Sequence, residues 1–163
     1  LRRIRAAILQ VPGVDALHLL KTRRAAGMVL VDVHILVNGK LSVSEGHHIS
    51  ETVRAGLIRE IDEVAEVMVH IDPEDDEKVA PNAGLPLRNV MTQRLRAALA
   101  HLPETAAIEH IGLHYLGGKV QVELVLPVTA VGGSREQILA LTERVRAALA
   151  PEPAIGAVEL RFR

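Results

Sequence analysis

An α+β fold made of two tandem units, each running helix, strand, strand, helix, strand, is predicted by three observations. The run RRIRAAILQVPG (Arg2 to Gly13) is answered by QRLRAALAHLPE (Gln93 to Glu104). Stretches alternating between apolar and polar residues follow each of these runs in the same order. A Ser-x-x-Glu or Ser-x-x-Gln pattern then precedes the longest helical stretch of each half, at Ser42 to Glu45 and Ser134 to Gln137, with the spacing of a capping box.

The elements follow in order. Arg2 to Gly13 carries apolar residues at helical spacing and ends at a proline. A strand around Asp15 to Arg23 turns at Ala25-Ala26-Gly27 into a second strand, Met28 to Val37. The helix opened by Ser42 leads to a third strand, Glu66 to Ile71. In the second half the helix Gln93 to Glu104 is followed by strands Ala107 to Leu116 and Lys119 to Val128, joined at Gly117-Gly118. The helix opened by Ser134 and a last strand, Ala157 to Phe162, complete it. Each half is then two helices on a three-stranded sheet, an open-faced sandwich similar to a ferredoxin-like unit lacking one edge strand. The expected domains are residues 1–73 and 87–163. Between them lies an acidic linker, 74–86, with proline and glycine and without periodicity.

Composition removes several function classes. Apolar residues make up 48% of the 163, the formal net charge is −1, and no apolar run approaches the ~20 residues of a membrane-spanning helix. Scattered Lys and Arg, with a single Tyr and a single Phe, leave neither a phosphate-tracking surface nor stacking platforms, so nucleic acid is not an expected partner. Cysteine is absent, which excludes disulfides, thiolate zinc knuckles and iron-sulfur clusters. The chain starts at Leu1 without a methionine and is read as a fragment or the ordered part of a longer protein.

The chemistry-bearing residues are histidines on strands. In VDVHILV the valines and Ile35 alternate with polar residues, so a strand that buries them projects His34 from its other face. In VMVHIDP the same alternation projects His70 and Asp72 together. Imidazole and carboxylate at i and i+2 on a rigid strand suit a borderline-soft divalent cation. Asp32 shares the face of His34 and is positioned either to orient its ring or simply to face solvent. The acidic run Glu74 to Glu77 is read as a solvated part of the linker.

The run GVDALHLLKTRRAAG, then VDVHILVNGKLSVSEGHHI, then VMVHIDP, spread over roughly residues 1 to 77, resembles the C-terminal cytoplasmic domain of the cation diffusion facilitator transporters. The second half looks like a divergent further copy of that domain. The resemblance implies a domain on the cytoplasmic side of the membrane, itself soluble, with the transporter's transmembrane part upstream. It further implies a homodimer and metal ligands at His18, His34, His47, His70 and Asp72. His48 replaces His47 if the helix register differs by one. Such a donor set favours zinc, with cobalt, nickel, ferrous iron or manganese also compatible and copper(I) disfavoured by the lack of thiolates.

The second half departs from this pattern. Aligned by sequence, Glu109 stands for His18, Glu123 for His34, and Glu159 and Arg161 for His70 and Asp72. A guanidinium there would repel a dication and pair with Glu123 or Glu159, so the second half is expected to have kept the fold and lost the transition-metal site. His110 and His114 are candidates for a separate weak site. No paired acid or activated nucleophile is present, so no catalytic or organic-cofactor residue is assigned and an enzyme is not expected. The expected function is metal-dependent regulation and dimerisation of a divalent cation efflux transporter. The alternative is a small-molecule-sensing module of the same fold in which the histidines are incidental.

Overall fold

The computed structural model describes residues 1–75 and 78–163. Part of the acidic run Glu74 to Glu77, residues 76 and 77, therefore lies outside the described residues. The chain divides into two compact units, Leu1–Val79 and Ala80–Arg163.

The first unit runs α1 (Arg2–Leu9), β1 (Ala16–Ala25), β2 (Met28–Leu36), α2 (Val43–Glu60) and β3 (Val64–Asp72). β2 lies in the middle of the sheet, antiparallel to β1 and parallel to β3. The parallel pairing follows from the crossover through α2, which returns the chain to the end of the sheet where β2 began. α1 buries Ile4 and Ile8, and α2 buries Gly46, Ser50, Val53 and Leu57, each set one helical stripe. These stripes cover Val29, Val31, Val33 and Ile35 of β2, which alternate along the strand.

Both helix starts are capped as their sequences predict. Ser42 Oγ accepts from the Glu45 N–H at 3.1 Å while the Glu45 carboxylate accepts from the Ser42 N–H at 3.4 Å. Ser134 and Gln137 make the same reciprocal pair at 3.1 and 3.3 Å. Each pair satisfies two backbone donors that the first turn of a helix leaves over.

The second unit repeats the order: α3 (Arg88–Leu99), β4 (His110–Leu116), β5 (Lys119–Leu126), α4 (Arg135–Leu149) and β6 (Ile155–Phe162). β5 is central, antiparallel to β4 and parallel to β6. Met91, Leu95 and Leu99 of α3 and Leu141, Val145 and Leu149 of α4 pack on Val120, Val122, Leu124 and Leu126 of β5. Both units are thus α+β, ferredoxin-like sandwiches with three strands.

Several bounds differ from expectation, and three departures come with specific hydrogen bonds. α3 begins at Arg88, five residues before Gln93, where Thr92 Oγ1 donates to the Arg88 carbonyl at 2.7 Å inside the first turn. β4 begins at His110 rather than Ala107, because Pro103–Ala107 coils into a 3-10 turn. The buried Thr105 hydroxyl closes that turn, reaching the carbonyls of Leu102 at 2.7 Å and Leu99 at 3.0 Å. Arg144 forks onto the carboxylate of Glu104 and holds its pKa below the usual carboxylate range. Thirdly, the end of the expected linker is tied down. Asn82 donates to the Tyr115 carbonyl and accepts from the Gly118 N–H, each at 3.0 Å, and the Tyr115 hydroxyl donates to the Pro86 carbonyl at 2.9 Å.

The β1–β2 hairpin closes on Ala26 and Gly27, both left-handed at φ 50° and 85°, between the paired residues Ala25 and Met28. This is the two-residue turn whose twist suits a hairpin, and it needs positive φ at both positions. Alanine supports that conformation poorly, so Ala26→Asn is expected to stabilise the first unit by about 0.5 kcal/mol. A urea melt of the variant beside the parent would show it as a higher midpoint at unchanged slope, and a lower midpoint would contradict the turn.

Candidate metal centre

β2 and β3 meet in a register that sets His34 beside His70 and Leu36 beside Asp72. With Val33 and Ile35 turned into the core, Asp32 and His34 face the helix-free side of the sheet, as do His70 and Asp72 of β3. The rings of His34 and His70 stack with centroids 4.3 Å apart and planes 13° from parallel.

His18 arrives by a different device. β1 has a bulge between Leu17, paired with Ile35, and Leu19, paired with His34. Leu17 and Leu20 both pack in the core, which leaves His18 and Leu19 together on the other side. A bulge opposes two residues to one and re-aims a side chain. Here it brings the ring of His18 to 5.6 Å from that of His34, centroid to centroid.

Asp72 is the hub. Its Oδ2 accepts from His34 Nδ1 at 3.0 Å, and His18 Nε2 stands 3.0 Å from the same oxygen. The three side chains are 18 to 28% exposed. On the other side of His34, His70 Nε2 lies 4.0 Å from Asp32 Oδ1.

Two groups of donors result: His18, His34 and Asp72, and Asp32, His34 and His70, with the ligand atoms of each group within 4.8 Å of one another. His34 belongs to both. Two polar atoms in these groups, His18 Nδ1 and Asp32 Oδ1, are buried without a hydrogen-bond partner. Buried polar atoms of this kind are costly unless something satisfies them. Imidazole nitrogens and carboxylate oxygens grouped in this way are a donor set that a divalent cation can use.

Of the residues expected to ligate, His18, His34, His70 and Asp72 come together on one face. His47 stands apart, exposed on α2 and outside both groups, and its carbonyl accepts from Ser50 Oγ at 2.8 Å. His48, its neighbour, is exposed as well. Asp32, read from the sequence either as an orienter of His34 or as a solvent-facing residue, stands in one group with His34 and His70. Its position two residues before His34 was the available signal. A groove of about 450 Å³ lined by Lys21, Arg23, Leu30, Asp32, Glu66 and Met68 adjoins the cluster.

In the second unit the pairing Glu123 with Glu159 repeats His34 with His70, and Val125 with Arg161 repeats Leu36 with Asp72. The aligned position of Glu109 is corrected by the register. The Glu109 N–H donates to the Val125 carbonyl as the Asp15 N–H donates to that of Leu36, both at 2.9 Å, so Glu109 answers Asp15. β4 is free of the bulge. Ile111 answers Leu17, Gly112 answers Leu19, and His18 has no counterpart. Among the described residues, His110 and His114 join no group of metal donors.

Residues 1–74 match the family model described as cation efflux protein, cytoplasmic domain. Metal tolerance protein C1 of Arabidopsis thaliana is 28% identical over 173 aligned residues, covering 99% of this chain and 37% of that protein. Metal tolerance protein 2 of Oryza sativa subsp. japonica is 46% identical over 71 residues, 44% of this chain and 18% of that protein. The cation-efflux pump FieF of Shewanella oneidensis is 38% identical over 73 residues, 44% of this chain and 24% of that protein. The chain therefore spans well under half the length of these relatives. Among solved structures, a MamM CTD is 27% identical with a TM-score of 0.44, covering 45% of this chain and 92% of that one. A variant MamM CTD described as a manganese form is 29% identical with a TM-score of 0.43, covering 45% and 92%. No helix among the described residues is long and apolar enough to cross a membrane. The first unit, residues 1–74, is thus similar to the cytoplasmic domain of cation efflux proteins, over less than half of the chain.

Proposed function

We propose that the first unit binds a divalent cation through His18, His34, His70 and Asp72, with Asp32 beside them, as the regulatory and dimerising domain of a divalent cation efflux transporter. The observation that carries this reading is the convergence of five donors from three strands on one face, with Asp72 Oδ2 shared by two imidazoles at 3.0 Å. Zinc is the first metal to test, because imidazoles with a carboxylate and no thiolate suit it well. The family match and the relatives named for metal tolerance and cation efflux support the same reading.

A cation on this face regulates by favouring one arrangement of two protomers over another, and only to the extent of its differential affinity for the two. Exposed Met68 on the same sheet face offers apolar area for such a pairing, and exposed His47 is available to a cation bridging protomers. The membrane-spanning part of the transporter is proposed to lie outside this chain, as the greater length of the relatives supports.

Calorimetric titration of the chelator-stripped chain with zinc, beside a His34→Ala/His70→Ala variant, tests the site. Stoichiometric binding by the parent and its loss in the variant are expected. Equal heats from both would remove the site and leave the fold without a ligand.

A further inference from the structure

The second unit carries Glu123, Glu159 and Arg161 at the register positions of His34, His70 and Asp72, so its charge pattern is the inverse of the first. In the first unit an anion sits among imidazoles. In the second a cation sits between anions. Arg161 Nη2 reaches Glu123 Oε2 at 3.2 Å and its Nε donates to Glu159 Oε1 at 3.1 Å.

Glu123 and Glu159 are direct cross-strand partners, and like charges in that position repel. The Glu123 side chain is only 18% exposed, so solvent screens it poorly. A cation between the two carboxylates relieves that repulsion. Arg163, two residues on, is engaged with Glu109. The two carboxylates in turn raise the pKa of Arg161, first through the hydrogen bond to Glu159 and then through the charge of Glu123. A guanidinium stays charged under all ordinary conditions and presents donors in a fixed fork.

We infer that Arg161 is a built-in cation, which fills between Glu123 and Glu159 the place a divalent ion would take and thereby closes the second unit to metal. The two units then divide the work. One face responds to divalent cations, and the other holds a permanent, metal-independent charge state. The parallel with the first unit rests on the function proposed above, whereas the blocking by Arg161 does not.

The test uses the full chain with His34→Ala and His70→Ala, so that neither donor group of the first unit is complete, and follows Mn2+ binding by electron paramagnetic resonance. With Arg161 intact, only background binding is expected. Adding Arg161→His exchanges the cation for an imidazole between two carboxylates, and about tenfold or greater tightening over background is expected. Adding Glu123→Gln should cancel that gain, and Arg161→Lys, which keeps the charge, should not produce it. Thermal melts without metal show that each variant is folded, and Arg161→Gln, which also lifts the block, serves if the histidine variant is not. A folded Arg161→His or Arg161→Gln chain without tighter binding would overturn the inference. So would Mn2+ binding with Arg161 in place that Glu123→Gln abolishes. Failure of the unsubstituted chain to bind zinc would count against the first unit's function alone, because every arm here already carries His34→Ala and His70→Ala.

Discussion

Replacing Asp72 with asparagine is expected to weaken divalent-cation binding by the first unit by at least roughly 10- to 100-fold, the loss typical of removing a group that holds metal ligands in place. The reason is geometric. Oδ2 of Asp72 lies 3.0 Å from His34 Nδ1 and from His18 Nε2, so one carboxylate sets the position of both rings and brings the negative charge nearest to them. An amide keeps the size and one acceptor but has no charge to offer a dication. In the metal-free chain the same change should cost only about 1 kcal/mol, because the amide oxygen still accepts from one ring. Zinc titration of Asp72→Asn by calorimetry, with a urea melt of the metal-free protein, separates the two effects. Parent-like affinity in a folded Asp72→Asn chain would show that the site is not organised around this residue.

Leu124→Ala is expected to lower the stability of the second unit by about 2 to 5 kcal/mol, the range for a fully buried leucine whose surroundings cannot collapse into the cavity. Leu124 is completely buried on the central strand β5, paired with Ile111 on one side and Leu160 on the other and covered by α3 and α4. The effect can be read in one unit alone. The single tyrosine of the chain, Tyr115, lies on β4 against this core, so its fluorescence during a urea melt reports on the second unit. Zinc binding by the first unit, which has its own hydrophobic cluster, should be unchanged. A tyrosine-detected midpoint equal to that of the parent would mean that β5 is packed differently.

Most of the candidate site was legible because it lies where strand alternation is regular. Val31, Val33 and Ile35 declare the inward face of β2, so Asp32 and His34 must take the other, and Val69 and Ile71 do the same for His70 and Asp72 on β3. The capping boxes at Ser42 and Ser134 were legible for a similar reason, since the partners are three residues apart. Reading failed where the pattern slips by one. His18 belongs to an irregular pairing that two adjacent leucines, Leu19 and Leu20, only hint at, and the sequence alignment accordingly gave it a false counterpart in Glu109. The 3-10 turn at Pro103–Ala107 was likewise invisible, because the Thr105 side-chain bonds that close it form only once Leu99 and Leu102 are in place.

The sequence by itself determined the order of the elements, the duplicated plan, the inward faces of the strands and the absence of thiolate chemistry. All of these rest on periods of two or 3.6 residues or on composition, which act over a few neighbouring positions. The tertiary structure alone decided that β2 lies between β1 and β3, that the bulge delivers His18 to Asp72 while His47 stays apart, and that Arg161 reaches both Glu123 and Glu159 rather than one of them. The decisive pairings, such as His18 with Asp72 and Glu123 with Arg161, join residues far apart in the chain, and their register is chosen by the packing of whole sheets against helices rather than by any local preference.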